Sequence, residues 1–153
     1  INRVALDTAH AVRDLVWFIS PECDTLDELT RQMEAVASRP GGPASLHFEA
    51  KLETPTRRLS LPFRRHVFFF FKEALHNALK HAQARHVQID VRDEKGTLHF
   101  SLRDDGVGYD VTTIRRGHGL TSLRRRADEL GGTLRMESRL GAGTQIHLQA
   151  RIT

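Results

Sequence analysis

The chain has 153 residues, 39% apolar and 27% charged, with 23 lysines and arginines against 19 aspartates and glutamates, a formal charge of +4. These proportions exclude wholesale disorder and predict one domain with at most an appendage. No apolar stretch nears the roughly 18–20 residues of a membrane-spanning helix, the longest run being Val67 to Phe71, so this segment is expected to be soluble and to make no membrane contact.

One cysteine, Cys23, excludes an internal disulfide and a multi-cysteine zinc site and fits a reducing compartment. The chain opens at Ile1, without Met or a signal-peptide pattern, and is expected to be a piece of something longer.

In chain order, Ile1, Val4, Thr8, Ala11, Leu15 and Phe18 make a 3-4 seam, read either as the tail of a dimerisation helix or as an amphipathic core helix, stopped at Ser20-Pro21. A second helix opens at Thr25 with Glu28 as a capping box and carries Leu26, Leu29, Met33 and Val36. Pro40-Gly41-Gly42-Pro43 is the clearest internal boundary. Beyond it the period becomes two: Leu46, Phe48, Ala50 and Leu52 predict a half-buried strand, and Leu59 with Leu61 a shorter one.

Pro62 suits the start of a core helix over about 62–82, with Phe63, Val67, Phe70, Phe71, Ala74, Leu75 and Ala78 on one side. Val87 to Val91 and Leu98 to Leu102 alternate as a hairpin through Glu94-Lys95-Gly96. A glycine-bearing loop runs from Asp104 to about Gly119, a helix carries Leu120, Leu123, Ala127 and Leu130 to Gly131-Gly132, and two last strands flank Leu140 to Gly143. The expected fold class is α+β, a two-layer sandwich whose mixed, mostly antiparallel sheet is covered on one face by helices.

Four segments carry candidate chemistry. Glu73, Asn77, Lys80 and His81 are spaced i, i+4, i+7, i+8 on the core helix; such a polar stripe can hold a hard cation and meet a phosphate, and it is also what an ordinary solvated face shows. Asp104-Asp105-Gly106-Val107-Gly108 follows a strand, where a carboxylate can accept from an exocyclic amine and glycines permit a tight path. Gly117-His118-Gly119-Leu120 runs into a helix N-terminus, which favours phosphate oxygens. Gly141-Ala142-Gly143-Thr144 reads alone as a hairpin turn.

Taken in order, these four motifs resemble the ATP-binding fold shared by bacterial sensor histidine kinases, gyrase, Hsp90 and MutL proteins, over about residues 45–152. The resemblance is nearest the NarX, DesK and LiaS type of histidine kinase, through Gly119-Leu120-Thr121-Ser122-Leu123-Arg124-Arg125-Arg126-Ala127 with Leu130-Gly131-Gly132 and a short Tyr109–His118 loop. It implies ATP and Mg²⁺ as cofactors. Asn77 would be the Mg²⁺ ligand and Glu73 would polarise a water or the accepting group as the catalytic carboxylate. Lys80 and His81 would approach the phosphates.

On the same resemblance, Asp104 would accept from the adenine amino group, supported through water by Thr144, with the backbone at Gly106 and Gly108 passing beside the base. The backbone of Gly117, Gly119 and Leu120 would border the triphosphate under a lid of residues 109–118. Asp105 stands where many relatives have Asn, and no F-box is evident.

The implied activity is transfer of the ATP γ-phosphate to a histidine on an upstream dimerisation helix, for relay to a response regulator. No such acceptor motif is present; His10 is followed by Ala11 and reads as a surface histidine. Residues 1–20 are expected to be the end of the dimerisation helix, 21–43 a connecting helix and linker, and 44–153 the ATP-binding domain. Such a chain would bind ATP without completing autophosphorylation on itself.

Implied partners are the dimerisation and phosphoacceptor domain of the same protein, homodimeric in full length, and a response regulator, in the cytoplasm and without nucleic acid. Between Val111 and Arg135 six arginines against Asp128 and Glu129 equal the whole-chain excess, a local field suited to a triphosphate. The alternatives are an ATPase or serine kinase of the same fold, or a non-catalytic nucleotide-binding module.

Overall fold

The computed structural model describes residues 2–39, 44–110 and 118–153. Its elements are α1 (Asn2–Ile19), a 3-10 turn (Pro21–Cys23), α2 (Leu26–Ala37), β1 (Ser45–Lys51), α3 (Leu61–His76) running into a π turn (Asn77–His81), β2 (His86–Glu94), β3 (Thr97–Asp104), α4 (His118–Glu129), β4 (Thr133–Arg139) and β5 (Gly143–Arg151). The sheet order is β1-β2-β3-β5-β4. β1 and β2 pair parallel, as a connection through α3 requires, and the other pairs are antiparallel. The α+β sandwich expected from the sequence is the fold observed.

Alternation sets the layers. Val87, Ile89 and Val91 of β2, Leu98, Phe100 and Leu102 of β3, and Ile146, Leu148 and Ala150 of β5 are buried against the helices, while Asp90, Arg92, His99, Ser101, Gln145 and His147 line the opposite, polar face. Phe70 and Phe71 of α3 meet Phe100 edge-on across the layers. Asp104 continues the Leu98-Phe100-Leu102 row and Thr144 the Ile146-Leu148 row, so the same period that builds the core aims both polar side chains at the helical layer. At Lys95 and Gly96 both φ values are positive, +50° and +80°, the primed turn a two-residue hairpin favours.

Residues 52–60 form no strand. Leu59 is buried but Leu61 is exposed, and the backbone here bonds to α2 and the C-terminus: Leu26 N to Arg57 O at 2.9 Å, Leu59 N to Asp24 O at 2.7 Å and Ser60 N to Thr153 O at 2.8 Å. The buried Asp93 carboxylate accepts from the Glu53 and Thr54 amides and holds the turn that replaces the expected strand.

Of the seam expected on α1, Phe18 docks, while Val4, Thr8, Ala11 and Leu15 are exposed. Val4 and Leu15 are 72% and 59% exposed, whereas Asp14 and Phe18 are buried and Trp17 packs against the core. Trp17 and Phe18 stack on Phe68, and Phe18 also meets Phe69. The buried Arg64 guanidinium donates to Phe18 O and Cys23 O, satisfying carbonyls at the C-terminal end of α1. Asp14 accepts from Lys72 Nζ at 2.9 Å, Arg39 Nη2 at 3.2 Å and Gln32 Nε2 at 3.3 Å, so one carboxylate joins α1, α3 and the end of α2. No helix among the described residues is long and apolar enough to cross a membrane.

Candidate nucleotide site

The site lies where the end of α3, the end of β3, the start of β5 and the start of α4 converge. Glu73 and Asn77 are half-buried, one turn apart. Past Asn77 the helix widens, and Ala82 N bonds to Asn77 O at 3.0 Å, an i to i+5 closure. The helix carrying the expected four-residue stripe is therefore not uniform: Lys80 and His81 lie on the π turn and are exposed, and His81 stacks edge-on against His76 at 5.4 Å.

Asp104 is 5% exposed at the β3 terminus, in register with Thr144, itself 8% exposed. Its Oδ1 accepts from Gly106 N at 2.8 Å. Burial pushes the Asp104 carboxyl above the ordinary aspartate range, opposed by amide hydrogen bonds from Gly106 and Thr144. The arrangement is a largely dry acceptor whose lone pairs exceed these two amide bonds, so a ligand amine can pair with it.

Asp105, one residue on, belongs elsewhere. Its Oδ1 accepts from the Arg85 and His86 amides, both at 2.8 Å, and its Oδ2 lies 2.7 Å from His86 Nδ1. The backbone and side-chain bonds from His86 lead in lowering its carboxyl to about 2. The residue that departs from the common Asn thus pins the start of β2.

Close backbone approaches seat the loop that follows. A Cβ on Gly106 would lie 2.2 Å from Ala82 O, and one on Gly108 2.1 Å from Arg139 O. Val107 between them donates its N–H to Ala82 O at 2.8 Å and accepts at its carbonyl from Gly141 N at 2.7 Å. The space left by these two glycines is occupied by the protein's own backbone, a tighter requirement than room beside a ligand.

Two site residues escaped the sequence reading. Ser122 Oγ, on α4, donates to Glu73 Oε2 at 3.1 Å and so ties the candidate catalytic carboxylate to the helix whose first turn holds Gly119 and the half-buried Leu120. Ser138 Oγ accepts from Tyr109 N at 2.9 Å and lies 2.9 Å from Thr144 Oγ1. A serine in a motif segment and a polar residue near a strand end are weak signals, and only the register reveals them. Tyr109 carries a buried hydroxyl with no hydrogen-bond partner among the described residues, its phenol pushed up first by burial and then by Asp104.

Gly117 and most of the expected lid, 111–117, lie outside the described residues. So do Arg115 and Arg116 of the expected field, while the Arg126 guanidinium sits 5.1 Å over the Phe69 ring and so faces α3.

The profile of the histidine kinase-, DNA gyrase B- and HSP90-like ATPases matches residues 64–153. The chain belongs to this family. Among curated relatives it is 29% identical over 116 residues to the histidine-protein kinase/phosphatase DegS of Bacillus subtilis, covering 73% of this chain and 30% of DegS. It is 34% identical over 110 residues to the nitrate/nitrite sensor NarQ of Escherichia coli, covering 71% and 19%.

The catalytic domain of histidine kinase ThkA superposes with a TM-score of 0.63 at 17% identity, covering 84% of this chain and 94% of that one, a likeness of fold. The chain thus carries a sensor-histidine-kinase-type ATP-binding domain, and it spans less than a third of the length of these curated relatives.

Proposed function

We propose that residues 44–153 bind Mg²⁺·ATP and transfer its γ-phosphoryl group to a histidine on an upstream dimerisation helix of the same protein, for relay to a response regulator. The observation that carries this reading is Asp104, a buried strand-end carboxylate with one oxygen bonded to Gly106 and Thr144 beside it. A carboxylate has lone pairs beyond the two amide bonds from Gly106 and Thr144, and one of them suits the adenine amino group.

The residues present fit a magnesium ion. Among the described residues no cluster of three or more His, Cys, Asp or Glu could hold a metal, and the donor at the site is the single half-buried amide of Asn77. Mg²⁺ is commonly held by few protein ligands plus phosphates, and when bound it offsets phosphate charge. Lys80 and His81, exposed on the π turn, would approach the phosphates, and the backbone of Gly117, Gly119 and Leu120 would border them under a lid of residues 109–118.

In the transfer the bond from the γ-phosphorus to the ADP oxygen breaks and a phosphorus–nitrogen bond forms to imidazole. Glu73, held by Ser122, accepts the imidazole proton.

Residues 1–20 fit the end of a dimerisation helix, with 21–43 as its connection. The 3-4 seam through Val4 and Leu15 is exposed, and a second copy of the same helix would cover it. The test is incubation of the full-length protein with γ-labelled ATP. Acid-labile label on histidine, lost in Glu73→Ala and Asn77→Ala, is expected; release of phosphate without labelled protein would instead make this an ATPase.

A further inference from the structure

We propose that Ser138 is a positioning residue that sets the hydrogen-bond polarity of Thr144 and, through it, the base selectivity of the pocket. The inference rests on the nucleotide reading above and concerns a residue outside the four motifs.

Ser138 lies near the end of β4, paired in register with Thr144. Its Oγ accepts from Tyr109 N at 2.9 Å and has two acceptors in reach, Thr144 Oγ1 at 2.9 Å and Gly143 O at 3.1 Å. A serine hydroxyl has one proton, so the two contacts are alternatives for donation. If Ser138 donates to Gly143 O, Thr144 spends its own proton on Ser138 and faces the site as an acceptor. If Ser138 donates to Thr144, the shorter contact, the Thr144 proton is left for the site.

Only the second arrangement sets a donor beside the Asp104 acceptor. An amino donor next to a ring-nitrogen acceptor, the edge of adenine, matches that pair, either directly or through a water that accepts from Thr144. Guanine held in the same orientation would turn its carbonyl to Asp104 and its ring N–H to the Thr144 proton, and so does not match. Thr144 is 8% exposed, so bulk water has little access to reorient its hydroxyl. The Tyr109 amide bond to the same serine fixes the loop after Asp104 relative to Thr144.

The test is calorimetric titration of wild type, Ser138→Ala and Ser138→Thr with ATP and with GTP, each variant first checked for an intact unfolding transition. Ser138→Ala is expected to lose about fivefold to tenfold in ATP affinity, the worth of one hydrogen bond, with GTP affinity changed less than about twofold. Ser138→Thr, which keeps the hydroxyl, restores the ratio. Thr144→Val carries the same test should Ser138→Ala fail to fold, and its ATP-to-GTP ratio falls likewise.

Equal losses for both nucleotides, or an unchanged ratio, overturn the role of Ser138 while leaving the pocket where it is. A wild-type chain that binds neither nucleotide overturns the nucleotide reading itself.

Discussion

Two glycines in one turn isolate the energetic role of the site's tightest contact. Gly141 and Gly143 have nearly identical backbone angles, φ +79° and +80°, so alanine at either meets the same left-handed penalty of about 1–2 kcal/mol, partly offset by a stiffer unfolded chain. Their surroundings differ. A Cβ at Gly141 has nothing within 4 Å, whereas one at Gly143 falls 2.0 Å from Asp104 O and 3.0 Å from Asp105 Cα.

Ordinary contact begins near 3.4 Å, so β3 and β5 would have to separate by more than an ångström beside Asp104. Overpacking of this kind costs about 1–3 kcal/mol or more. Gly143→Ala should therefore be less stable than Gly141→Ala by about 2–3 kcal/mol in urea unfolding, or roughly 5–10 °C in Tm. It should also weaken ATP binding, which Gly141→Ala leaves intact. Two variants within about 0.5 kcal/mol of each other would refute the close approach of the two strands.

Asp14→Ala removes the acceptor shared by Lys72, Arg39 and Gln32. A broken buried pair costs about 3–5 kcal/mol, but Lys72 and Arg39 are 37% and 25% exposed and can turn to water, so a loss of about 2 kcal/mol is expected. Hydrogen exchange should show α1 amides losing protection while those of β3 and β5 keep theirs. Asp105 supplies a pH dependence. Its carboxyl is lowered to about 2 from an ordinary 3.8, so its contribution is present above about pH 4 and disappears as pH falls through 2. The urea midpoint of Asp105→Ala should vary less than that of wild type between those limits; parallel curves would show the Arg85 and His86 bonds to be without weight.

Much of this molecule is written in local pattern. Alternation in 87–91, 98–102 and 146–150 specifies both the strands and the face on which Asp104 and Thr144 lie. Thr25 accepts from Glu28 N, so the start of α2 is legible as a cap, while that of α3 is legible through Pro62, with Ser60 Oγ accepting from Phe63 N as the cap the structure adds. The shortfalls have tertiary causes. Leu59 and Leu61 read as a strand because a two-residue period cannot tell a ladder from a segment bonded to α2 and Thr153.

Spacing on a uniform helix could not foresee the π turn that carries Lys80 and His81. Among the described residues of the periodic α1 seam Phe18 alone is buried, and it is joined by Asp14 and Trp17, which lie off the seam and are chosen by partners 18 to 58 residues away. Ser122 and Ser138 were invisible for the same reason: each acts across a gap that only the fold closes.

The central claim is that the Asp104 carboxylate is the base-recognising acceptor of an ATP site. Calorimetric titration of the chain with ATP in Mg²⁺, wild type against Asp104→Asn, tests it most directly. Asparagine keeps the size of the side chain but lacks the charge and presents an amide donor where an acceptor is needed, so ATP affinity should fall at least about tenfold with the unfolding transition preserved. Equal affinities in the two folded proteins would contradict the account.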